Sequence, residues 1–264
     1  MAWGEGMESW VIDYQIIQGS PAEDMTWLRA DELLKTRYKH ASGSLMSIDA
    51  AFIDSGGAHT QDVYNFCYTR KRRNIFAIKG ASRPECPILC AKPTVVDINW
   101  RGLTEKRGAQ LWFIGTDTAK DYLTSRWKRA AGFGAVHFSQ DLPEDYYKQL
   151  TSEYRTHVFK RGRKVSVWEK KQADRNEALD LMVYNLAAAY YLGLHKKTPG
   201  HWQQLRDKHN LPAPPALVDL LTPFEPARVS AIEAAAAPVV ITPVSRPRDL
   251  PPVRKAVQTF SRDW

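Results

Sequence analysis

The chain has 264 residues, 44% of them hydrophobic and 25% charged, with a net charge of +8; this suits one sizeable domain with an appendage and excludes a chain disordered throughout. No apolar run reaches the roughly 18 residues of a membrane span, and the opening MAWGEGMESW lacks the basic-then-apolar order of a signal peptide, so a cytoplasmic protein with no membrane partner is expected. The basic excess favours a polyanionic partner such as nucleic acid.

In chain order, residues 10–17 alternate, with Trp10, Ile12, Tyr14 and Ile16 on one face and Val11, Asp13, Gln15 and Ile17 on the other, which predicts a strand. Residues 25–38 place Leu28, Leu33 and Leu34 among charges, as an amphipathic helix does. Residues 45–54 predict a second strand, and the Gly56-Gly57 break separates it from a helix over about 60–72. NIFAIKG then reads as a short buried strand. The strand, helix, strand order over 45–79 is that of a βαβ unit and predicts a parallel pair within a mixed sheet.

Beyond it, the polar stretch 92–107 is expected to hold strands or loops. An apolar run at 110–114, a helix over 119–129, a strand at 135–138 and a short helix after Pro143 follow. The strongest helical segment, DRNEALDLMVYNLAAAYYLGL (174–194), is apolar almost all round after Ala178, which marks a buried helix. Another short helix is predicted near 201–209. From Pro226 the composition turns rich in proline and alanine with scattered arginines, dividing the chain into a folded part, 1–225, and a flexible basic tail, 226–264.

Two acids stand out. Asp54 shares its strand face with Met46, Ile48 and Phe52, so it is expected against the core, at the carboxyl end of a strand where open α/β sheets place their ligands. The competing reading is a capping role beside the glycines. Asp180 falls on the same helical face as Val183, Tyr184, Ala187 and Tyr191, where an ionised carboxylate needs a cation or donors. Arg175 or an arginine from another element would serve, and so would a metal; Glu177, one turn earlier, projects to nearly the same side. Carboxylates of this kind suit hard divalent cations, and paired ions hydrolyse phosphodiesters. The clusters TRKRRN (Arg70, Lys71, Arg72, Arg73), RWKR (Arg126, Lys128, Arg129) and KRGRK (Lys160, Arg161, Arg163, Lys164) each read alone as solvated runs; together they point to DNA phosphates. Cys67, Cys86 and Cys90 lack zinc-ligand spacing, the seven histidines form no HExxH, and there is no GxxxxGK[ST] phosphate loop.

Six segments in order, ESWVIDYQIIQG, FIDSGGAHTQDVYNFC, IFAIKGAS, LWFIGTDTAKD, GAVHF and RNEALDLMVYNLAA, resemble the C-terminal nuclease region of the lambda-type phage terminase large subunit, over roughly residues 3 to 195. The resemblance implies an RNase H-like mixed sheet flanked by helices. It also implies a Mg²⁺- or Mn²⁺-dependent endonuclease that cuts concatemeric double-stranded viral DNA during packaging, with terminase small subunit, portal and procapsid as partners. By resemblance the metal-binding acids fall on Asp54 and Asp180, with Glu177 in outer support; Lys79 and Lys120 are candidates to approach phosphate. The family's first acid lies on a strand upstream of the segment matching WGEGMESW, so that strand is expected to be missing here, with Asp13 a weak substitute. The family's ATPase motor is not expected in this chain. A fragment that binds DNA or packaging partners without cutting, and a stand-alone nuclease or resolvase on the same fold, are the competing readings. The segment VRKAVQTFSRDW is a candidate portal-docking segment by the same resemblance.

Overall fold

The computed structural model describes residues 1–40, 42–160 and 162–209. In chain order the strands are β1 (Ala2–Trp3), β2 (Ser9–Val11), β3 (Tyr38–Lys39), β4 (Leu45–Met46), β5 (Ala51–Asp54), β6 (Ile75–Gly80), β7 (Thr94–Trp100), β8 (Leu103–Ile114), β9 (Val136–Phe138), β10 (Glu153–Lys160) and β11 (Arg163–Lys170). The helices are α1 (Asp24–Leu33), α2 (Thr60–Tyr68), α3 (Thr116–Thr124), α4 (Glu144–Leu150), α5 (Glu177–Tyr191) and α6 (Pro199–His209).

The central sheet runs β5-β6-β8-β7. β5, β6 and β8 are mutually parallel and β7 returns antiparallel to β8, so the predicted βαβ unit is present inside a mixed sheet. Alternation along the strands sends side chains to two faces. Ile78 and Ile114 face one core with Leu179, Met182, Val183 and Leu186 of α5 and Leu123 of α3. Ala77 and Leu111 face the other with Val63, Phe66 and Cys67 of α2. Helices on both faces of a mixed sheet agree with the RNase H-like architecture expected.

α5 is helical because Leu, Ala and Met dominate it, residues with high helix propensity. Glu177 and Asp180 lie in its first turn, where the helix dipole favours anions. It ends where Gly193, at φ 67°, takes the left-handed conformation that closes helices without a Cβ penalty.

Several predicted boundaries are corrected. The strand predicted over 10–17 is only three residues long, β2, paired between β1 and β9 in a separate small sheet. The strand predicted over 45–54 is broken into β4 and β5 by residues 47–50; β4 pairs with β3 instead. The polar stretch 92–107 folds as β7 and the start of β8, a hairpin longer than its apolar end suggested. The β10–β11 hairpin, unpredicted, is a two-stranded sheet of its own with eight residue pairs. The proposed division near residue 226 and the tail it begins lie outside the described residues, as does the candidate docking segment.

Candidate active site

The carboxyl ends of β5, β6 and β8 lie along one edge of the sheet, and α3 leaves directly from that edge. Asp54 closes β5. Its Oδ1 accepts the Gly56 N–H at 2.9 Å, so the turn-capping role is present; its Oδ2 accepts the Tyr184 hydroxyl at 3.2 Å. Tyr184 is one helical turn beyond Asp180 on α5, so the strand acid and the helix acid meet around one phenol. The expectation that Asp54 lies against the core is corrected: it is exposed, because β5 is an edge strand and its last residue clears the packed face.

Asp180 is partly buried, its side chain 30% exposed. Its partner is Lys120 of α3, whose Nζ stands 3.4 Å from Oδ1, and Asn176 donates to its Oδ2 at 3.0 Å. Arg175, one of the partners considered from sequence, binds Glu177 at 3.2 Å instead. Glu177 is exposed and turned to that arginine, which corrects the expectation that it projects beside Asp180.

Lys120 corrects a second expectation. It is buried, not a surface charge free to meet phosphate, and its Nζ donates at 2.8 Å to both oxygens of Glu153. Glu153, at the start of β10, also accepts Asn176 Nδ2 at 2.7 Å. Sequence reasoning missed this acid because three separate elements bring Lys120, Glu153 and Asp180 together. One local signal existed: Lys120 shares the apolar face of α3 with Leu123, which is a costly place for an unpaired ammonium.

Burial pushes the Asp180 carboxyl up; Lys120 opposes this while the charges of Glu153 and Asp54 add to it. Burial, then the charges of Asp180 and Asp54 and the bond to Asp54, raise the Tyr184 phenol far above its ordinary value. Tyr184 therefore stays protonated and donates to Asp54. Asp180 and the neighbouring Asp54 offer carboxylate oxygens of the kind a hard divalent cation takes, and in that respect they fit one. Among the described residues, no group of three or more His, Cys, Asp or Glu side chains gathers at metal-ligating spacing.

The basic clusters divide by what they touch. Arg70 and Arg73 of TRKRRN each donate to Asp31 Oδ1 at 2.6 Å, and Arg70 stacks over Phe66, so both pin α1 to the loop after α2. Lys71 and Arg72 are exposed. Arg126 lies 3.5 Å above the Tyr122 ring and Arg129 donates to the Phe133 carbonyl, whereas Lys128 is exposed. Lys79 is exposed at the end of β6 but, one residue beyond the Asp54↔Ile78 pair, it leaves the sheet on the opposite face. Lys160 and Arg163 end the strands of the β10–β11 hairpin; Arg161 lies outside the described residues. Asp13 is bound by Tyr38 and Gln15 and takes no part in the Asp54 and Asp180 group. All three cysteines are free thiols.

Residues 1–202 match the family model described as terminase large subunit gpA, endonuclease domain. Two curated proteins are similar over 196 residues: the terminase large subunit of Escherichia phage lambda at 38% identity and that of Enterobacteria phage P21 at 33%. Each alignment covers 70% of this chain and 29% of the relative, so the chain spans under a third of their length. No solved structure matches significantly.

Proposed function

The chain belongs to the endonuclease-domain family of the terminase large subunit gpA, and from that premise we propose that it cuts double-stranded DNA by metal-dependent phosphodiester hydrolysis. The observation that carries this reading is the bond from Tyr184, one turn beyond Asp180 on α5, to Asp54 across 130 residues of chain, which brings the two acids near one phenol. Asp54 and Asp180 would hold Mg²⁺ or Mn²⁺. A bound divalent cation lowers the pKa of a coordinated water and polarises the phosphate.

The chain's own residues do the rest. Tyr184 donates to Asp54 Oδ2, and the Gly56 amide donates to its Oδ1; together they fix the plane of that carboxylate. Asn176 fixes Asp180 from the helix end. Lys71, Arg72 and Lys128, exposed, supply charge for backbone phosphates, with Lys160, Arg161 and Arg163 of the KRGRK run added by sequence. The natural substrate proposed is concatemeric viral DNA during packaging, in the host cytoplasm, with the small subunit and the portal and procapsid as partners.

A second reading, DNA binding without cleavage, is favoured by the absence, among the described residues, of three or more acids at metal-holding spacing, since Glu153 is taken up by Lys120. Plasmid nicking and linearisation with Mn²⁺, compared with Asp54→Ala and Asp180→Ala, separates the two. Cutting that both substitutions abolish supports the nuclease; DNA binding without cutting in the unaltered chain supports the second reading.

A further inference from the structure

Lys120 presents a problem for any cation site beside Asp180: a buried ammonium already stands there. Its three N–H groups are unequally used. Both oxygens of Glu153 accept at 2.8 Å, while Asp180 Oδ1 is at 3.4 Å, beyond the usual N–H···O distance. The side chains of Lys120 and Glu153 are only 10% and 6% exposed, so each needs the other to offset desolvation. Asn176 Nδ2 completes the arrangement, bridging Glu153 Oε1 at 2.7 Å and Asp180 Oδ2 at 3.0 Å. The ammonium is thus bonded to Glu153 and only approaches Asp180.

We propose, on the reading that Asp54 and Asp180 hold a divalent cation, that Glu153 is a positioning residue that holds Lys120 off Asp180 and so keeps that carboxylate open to the metal. Without the Glu153 charge, Asp180 is the adjacent anion, and the buried ammonium closes on it. Without the Lys120 charge, Glu153 becomes a further uncompensated carboxylate, and the anionic field at the site grows.

The two substitutions therefore act with opposite sign, which a merely structural role does not produce. Mn²⁺ binding to the full chain, followed by electron paramagnetic resonance, is expected to weaken about tenfold in Glu153→Gln and to tighten in Lys120→Met, since one unit charge within a few ångströms is worth at least that much at a partly buried site. The double variant is expected to return near the unaltered affinity. Both replacements conserve size, and unchanged melting temperatures check the fold. A metal-free crystal structure of Glu153→Gln supplies the independent arm, with Lys120 Nζ expected in direct contact with Asp180. If the unaltered chain binds no Mn²⁺ while Nζ closes on Asp180, the metal reading fails and the lock stands. If Mn²⁺ binds through Asp54 and Asp180 but both substitutions shift affinity the same way or not at all, or if Nζ does not move, the lock is wrong.

Discussion

Asp31 illustrates what a single residue does here and why it was illegible. In sequence it is one of several charges on an amphipathic helix. In the fold its side chain is 10% exposed and takes hydrogen bonds or ion pairs from Arg70, Arg73 and Lys35. Burial alone would raise its carboxyl; the bonds from Arg70, Lys35 and Arg73 together outweigh that and hold it well below the usual carboxylate range. A depressed folded value makes the contribution complete above the unfolded value of about 3.9 and lost as pH falls through the folded one. Asp31→Asn is expected to cost about 2–3 kcal/mol at neutral pH, the scale of charge-assisted bonds to a buried group. In urea denaturation the gap between variant and unaltered chain should narrow progressively below about pH 4. A gap independent of pH would show that the pairing is not the source. Asp54 and Asp180, by contrast, stood out in sequence, one ending an apolar run beside glycines and the other interrupting an apolar helical face, and the fold brings both near Tyr184. The partners of Asp180 did not stand out, since Lys120 and Glu153 come from elements whose approach no local pattern encodes.

Among the elements, the strongly periodic ones were legible and the shortest were not. α5, α2 and β6 carry clear patterns and appear where expected, whereas β5 and β4 are joined in sequence by a continuous apolar alternation that the chain breaks at residues 47–50. The β10–β11 hairpin escaped because KRGRK (160–164) reads in sequence as a charge cluster. Its attachment is specific: Arg155 Nη1 and Trp168 Nε1 both donate to Asp121 Oδ1 of α3, at 2.7 and 3.1 Å. Asp121 is about half exposed, so its ion pair is worth no more than about 1 kcal/mol. Asp121→Ala should therefore leave global stability nearly unchanged while raising amide exchange in β10 and β11 by roughly fivefold or less, read by hydrogen-exchange mass spectrometry. Exchange that rises across the whole domain instead would mean that the hairpin is integral to the core.

α3 has a second tether at its start. A Cβ on Gly115 would come within 2.1 Å of the Cys86 carbonyl oxygen and 2.6 Å of that of Pro87, and the Gly115 N–H donates to Pro87 O at 3.0 Å. Backbone cannot yield as a flexible side chain would. Gly115→Ala is expected to destabilise by about 1–3 kcal/mol, the range of overpacking, measured as a lower urea midpoint. Since α3 carries Lys120, Mn²⁺ affinity should change with it; a neutral Gly115→Ala would show that the loop at Cys86 gives way freely.

At the scale of the whole molecule, the net charge of +8 pointed to a polyanion, but it could not say which cations are free. Arg70 and Arg73 are committed to Asp31, and Arg126 to Tyr122, whereas Lys71, Arg72 and Lys128 are exposed. Phosphate contacts act through charge and counterion release, so the two groups should separate by experiment. Replacing Lys71 and Arg72 by Glu should weaken duplex DNA binding and reduce the slope of log affinity against log salt, with the melting temperature unchanged. Arg70→Ala should lower the melting temperature instead, because it leaves the Asp31 carboxylate short of a partner. If the Glu pair leaves both affinity and slope unaltered, DNA does not pass over the loop after α2. The Asp54 and Asp180 pair can be tested on the same scale without any cleavage assay. A ligand that binds only the folded state adds about 2.7 kcal/mol when present at a hundred times its dissociation constant. Mn²⁺ should therefore raise the melting temperature of the unaltered chain, and Asp180→Ala should remove that rise. A rise that survives in Asp180→Ala would place the bound ion away from α5 and leave the strand-end acid without its helical counterpart.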